Sequence, residues 1–97
     1  MKINQHGLER AKEVYQRHIG NSDLLTETKI LDHISRGVMI YDDFSQQSER
    51  NLETLKNQFL DISEREKKLG NMDDSMLMYE IGLFFIGRIL CMSFHYD

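Results

Sequence analysis

Ninety-seven residues, 40% apolar and 29% charged with no proline, make one small domain and exclude a chain too polar to fold. The net charge of −4 excludes nucleic-acid binding driven by bulk positive charge. A chain this short buries only about 60–65% of its unfolded surface, so a second subunit extending the core is expected.

Periodicity begins early. Leu8, Ala11, Val14, Tyr15 and Ile19 recur at steps of three and four and predict a helix over residues 4–19. Glu9, Arg10, Lys12, Glu13, Gln16 and Arg17 fill the opposite face, with Glu9, Glu13 and Arg17 at four-residue steps. Gly20-Asn21 predicts a stop, and Ser22-Asp23 a new helix start.

From Leu24 to Leu69 a single heptad phase persists. One seam carries Leu24, Leu31, Val38, Leu52 and Phe59; the other carries Ile34, Tyr41, Leu55, Ile62 and Leu69. Polar residues interrupt it at Glu27, Ser45, Ser48 and Glu66. The stretch is either one long helix or two helices with a joint at residues 42–49. A single rod far exceeds the usual 10–14 residues of a globular helix, so two helices are favoured. Asp43 or Ser45 is the expected cap of the second.

Lys67-Lys68-Leu69-Gly70-Asn71 is the clearest stop, with cations at the negative helix end and then a glycine. Asp73-Asp74-Ser75 restarts a helix predicted over 75–94. That helix is apolar on every face, and Phe85 and Ile86 are read as packed core. Its bilayer transfer sum is near zero, because Glu80 and Arg88 offset the apolar residues, so a membrane span is not expected. The predicted fold is therefore an all-α bundle of four helices, or three if 24–69 is continuous. Its last helix is central or at an oligomer interface, and a homo-oligomer is expected.

Chemistry-bearing residues are sparse. His6, His18, His33 and His95 form no H-x-x-x-H pair, and they are read as surface or capping residues. The lone Cys91 excludes an internal disulfide and is read as a small buried hydrophobe. Residues 1–6 carry no apolar signal segment, which points to the cytoplasm. No glycine loop for phosphates and no nucleophile elbow is written, so neither a cofactor nor an enzyme is expected.

Charge is uneven: residues 22–49 carry −4 and residues 71–97 carry −3, against +2 and +1 elsewhere. The leading expectation is a small acidic protein that docks on and neutralises a basic protein. An inhibitor, immunity protein or antitoxin acting on a nuclease fits that description. Its expected contacts are Asp32, Asp42, Asp43 and Glu49, with Tyr41 and Phe44 as aromatic anchors.

A second expectation comes from Arg88 and His95, six residues intervening. This pair resembles the Arg-x(4–6)-His signature of the HEPN superfamily, helical domains that often cleave RNA as dimers. The resemblance implies Arg88 on phosphate and His95 moving protons at the ribose 2′-hydroxyl. Ile89 stands where that family usually has a polar residue, and an Arg88–Glu80 ion pair beside a terminal histidine accounts for the same letters. A membrane-tethered adaptor is the third expectation. Far-UV circular dichroism should show more than half helix and essentially no sheet; a strand-dominated spectrum would refute the class.

Overall fold

The computed structural model describes residues 4–20 and 46–96, with the side chains of 46–49, 88 and 90–96 outside the description. Three helices account for nearly all of them: α1 (Gln5–Ile19), α2 (Gln46–Lys68) and α3 (Met72–Tyr96). No strand occurs among the described residues. The fourth helix expected within 24–41 and the first half of the joint expected at 42–49 lie outside them, and the second half of that joint, residues 46–49, is corrected to the first turn of α2.

α1 starts as its sequence predicts. The Asn4 side chain accepts from the Gly7 amide at 2.8 Å and so satisfies one of the free N–H groups of the first turn. At the other end Gly20 adopts φ 86° and ψ −163°, a combination that costs a residue with a Cβ, and its amide returns to the Gln16 carbonyl. Leu8, Ala11, Val14 and Tyr15 are buried, whereas Ile19, the last residue of the predicted stripe, is 38% exposed.

α2 and α3 form an antiparallel hairpin across a tight turn. Asn71 N donates to Glu66 O and Gly70 N to Lys67 O, the paired bonds of a Schellman stop. Gly70 supplies the required positive φ of 84°. The turn also explains one failure of the heptad. Leu69 was expected on the seam but is 68% exposed, because the helix ends at Lys68 and the chain swings away before Leu69 can face inward. The last helix begins at Met72, earlier than the predicted residue 75, and Asn71 O takes the first helical bond, from Ser75 N.

The core is a three-helix contact. Leu52, Leu55, Phe59 and Ile62 of α2 meet Met78, Ile81, Phe85 and Ile89 of α3, with the α1 stripe laid over both. Tyr15 stacks on Phe59 at 5.2 Å between ring centroids, and Phe59 meets Phe85 edge-on at 5.3 Å, so one aromatic chain ties all three helices. The Tyr15 hydroxyl donates to Gln58 Oε1 at 2.6 Å, which satisfies its polar end.

Two small-residue contacts bring α2 and α3 close. Buried Ser63 and Ser75 each donate a hydroxyl to the other's backbone carbonyl, both at 2.8 Å. Two turns further along α3, a Cβ on Gly82 would stand 2.5 Å from Leu60 Cδ2 and 2.9 Å from Cγ.

α3, the helix expected to be central or at an oligomer interface, is covered on one face among the described residues, and Ile86 departs from the packed core expected of it. The inner face is covered, Phe85 completely, but Ile86 is only partly covered, and Met76, Tyr79 and Leu83 are exposed. Two neighbouring helices cannot enclose the whole circumference of a third. Among the described residues no helix is long and apolar enough to cross a membrane.

The glycines on α3 should respond oppositely to alanine. A Cβ added at Gly87 would meet nothing within 4 Å, so Gly87→Ala should stabilise by about 0.5–1 kcal/mol through helix propensity. Gly82→Ala must displace Leu60 and should cost about 1–2 kcal/mol net. Urea unfolding midpoints read both; equal shifts would deny the close α2–α3 contact.

Candidate functional site

Two features stand out near the closed end of the hairpin: a polar clasp that pins α1, and an uncovered apolar stripe on α3.

The clasp centres on Glu66, which the heptad marks as a seam position and which is fully buried. An ionised carboxylate there needs partners, since burial alone strongly favours the neutral form. It has three. His18 Nε2 lies 2.7 Å from Oε1, Arg17 Nη1 lies 3.5 Å from the same oxygen, and Asn71 Nδ2 donates to Oε2 at 2.6 Å. The His18 bond requires a proton on Nε2, which the cation or the Nε2–H tautomer supplies. The His18 and Asn71 bonds hold the Glu66 carboxyl below its usual range despite burial, with the Arg17 and His18 charges adding to the effect. Asn71 occupies the place where a Schellman stop often makes an apolar contact with this helix residue; here a hydrogen bond replaces it.

A second pair braces α1 near its middle. Arg10 meets Asp74 with two parallel bonds, Nε to Oδ1 at 2.9 Å and Nη2 to Oδ2 at 2.7 Å. This fork geometry is directional as well as attractive. It holds the Asp74 carboxyl below its ordinary range, against the opposing effect of burial, and raises Arg10. Asp74 therefore serves α1, beyond the capping role that its place in the first turn suggests. Arg10 also reaches Glu13 at 3.1 Å, and Arg17 turns to Glu66, so the expected Glu13–Arg17 spacing is not the pairing adopted. Arg10, Gly70, Asn71, Met72, Asp73 and Asp74 line an open polar depression of about 550 Å³ beside this brace. No group of three metal-ligating side chains occurs among the described residues.

The stripe lies on the outer side of α3. Met72, Met76, Tyr79 and Leu83 are 50, 59, 51 and 42% exposed, and they follow one another at steps of four, three and four. Those steps place them in one row along the helix. Asp73 and Glu80, both exposed, sit three residues before Met76 and Leu83 and so border the row. Neither acid has a hydrogen-bond or ion-pair partner among the described residues.

Of the residues expected to bind a partner, Asp32, Tyr41, Asp42, Asp43 and Phe44 lie outside the described residues. Glu49 falls in the first part of α2, its side chain outside the description. Positions 88 and 95 both fall on α3, two turns apart, and their side chains are likewise not described. His18 is corrected from a surface or capping histidine to a clasp residue with only 13% of its side chain exposed. The sequence does carry one signal for the clasp, a glutamate on an otherwise apolar seam. It carries none for Arg10 and Asp74, which are 64 residues apart.

Neither protein-family models, nor curated proteins, nor solved structures match this chain.

Both clasp carboxylates ionise more readily in the folded chain than their ordinary values allow, so they stabilise it above the carboxylate range and cease to as the pH falls. Stability by urea titration should be level above about pH 5 and decline as the pH drops through about 4. Glu66→Gln and Asp74→Asn should each flatten that decline. An unchanged slope in both would deny the clasp this role.

Proposed function

We propose that this chain is a small acidic protein-binding module that docks on a basic protein and neutralises or escorts it, as inhibitors, immunity proteins and antitoxins do. The observation that carries this reading is the exposed stripe Met72, Met76, Tyr79 and Leu83 bordered by the exposed acids Asp73 and Glu80, which have no partner among the described residues. A row of large apolar side chains facing water is unfavourable unless something covers it. The net charge of −4 speeds encounter with a cationic partner and selects against an acidic one.

The acidic stretch Asp32, Asp42, Asp43 and Glu49, with Tyr41 and Phe44, is proposed as a second contact region. Closure of the bundle by a fourth helix drawn from residues 24–41 is part of the same proposal, as is action in the cytoplasm. The ribonuclease reading keeps one supporting observation: α3 runs unbroken through positions 88 and 95.

Affinity capture with the whole chain should retain a basic protein. Its retention should fall as salt rises from about 50 to about 300 mM, because screening shortens the reach of the acidic surface. Failure to retain any basic protein would refute the binding reading. An RNA-cleaving activity in the purified chain, lost in His95→Ala with folding retained, would replace it with the ribonuclease.

A further inference from the structure

The shape of the α3 stripe narrows what can cover it. Met72 to Leu83 spans three turns, about 16 Å along the axis, and the mean step is close to the helical period. The row therefore runs nearly parallel to α3 and offers a straight ridge, which suits another helix laid along it with apolar side chains at three- and four-residue steps. Two of its four members are methionines, unbranched side chains that reshape to fit an incoming surface.

Charge decides the kind of helix. Asp73 and Glu80 lie seven residues apart on one border of the row, about 10 Å along the axis. A second copy of this chain fits poorly. An antiparallel pair would set each acid border against the other's. A parallel pair would set it against the border at Ser75 and Gly82, which α2 already covers through Ser63 and Leu60. A helix with cations at the matching interval meets no such conflict.

We infer that the outer face of α3 is the docking site for an amphipathic helix of a basic partner protein. The apolar residues of that helix lie against Met72, Met76, Tyr79 and Leu83. Two Lys or Arg side chains, seven residues apart, meet Asp73 and Glu80. The inference rests on the binding reading above and names the surface and the partner element.

The probe is a fluorescein-labelled synthetic amphipathic peptide of about 18 residues, with leucine along one face and two lysines at the seven-residue interval. The whole chain should bind it at least about tenfold more tightly than a version with glutamates for the lysines or one with scrambled order. The double variant Tyr79→Ser with Leu83→Ser alters exposed positions only, and circular dichroism checks that it stays folded. It should weaken binding at least about tenfold. Asp73→Lys with Glu80→Lys should reverse the preference toward the glutamate peptide. Undiminished binding by the serine variant, or a preference that ignores the charge reversal, overturns the inference.

Two other occupants have their own signatures, and either would overturn it. A dimer in sedimentation that the serine variant converts to monomer means that a second copy covers the stripe. Met72 and Met76 resisting peroxide as strongly as buried Met78 means that the chain itself covers it. A captured basic partner whose retention ignores the serine variant removes this docking face and leaves the binding function standing.

Discussion

A carboxylate without any exposed surface, Glu66, stands where the end of α1, the end of α2 and the hairpin turn converge. Its bonds join three segments: His18 and Arg17 come from α1, Asn71 from the turn, and the carboxylate itself from α2. Removing the partners would strand a charge in the core, and removing the charge would leave three donors with less to hold. The position of α1 over the hairpin is thus fixed by an electrostatic requirement as well as by its apolar stripe. Arg10 and Asp74 apply the same logic to the first turn of α3, so α1 is fastened at two points.

That fastening governs what α3 exposes. With α1 and α2 seated on its inner side, Met78, Ile81, Phe85 and Ile89 are consumed by the core. The outer row is left with nothing of the described chain upon it. Ser63, Ser75 and Gly82 sharpen the division, because they draw α2 against one flank of α3 and leave its far side open. The acids Asp73 and Glu80 then border apolar side chains that face solvent, and the fold has produced a surface with both a shape and a sign.

What could be read in the sequence follows from which interactions are local. The α1 stripe of Leu8, Ala11, Val14 and Tyr15 is set by a short period, and it is buried as expected. The stop at Gly70 and the seam through Leu52, Leu55, Phe59 and Ile62 are likewise written within a few residues. The two sides of α3 were not separable, because apolar residues at every phase conceal which row meets the neighbours. Periodicity tells inside from outside only when the outside is polar. The clasp was hidden for another reason: Glu66 shows as an interruption, but its partner His18 is 48 residues away and no pattern links them. The residues expected to form the partner surface, Asp32 to Phe44, fall outside the described part, and the stripe that carries the proposal came from the structure alone.

The reciprocal bonds of Ser63 and Ser75 have a consequence for assembly. They join positions 12 residues apart, whereas the bonds that seat α1 span 43 to 64 residues. Chain entropy penalises the closing of a long loop more than a short one, though only logarithmically. The hairpin gathers its contacts across a turn of three residues, Leu69, Gly70 and Asn71, before any distant segment must be found. α1 must be brought back over a long span of chain, and its bonds return nothing until it arrives. Among the described residues cohesion is therefore hierarchical: α2 and α3 pair across a short turn, and α1 is latched onto that pair by bonds of long span.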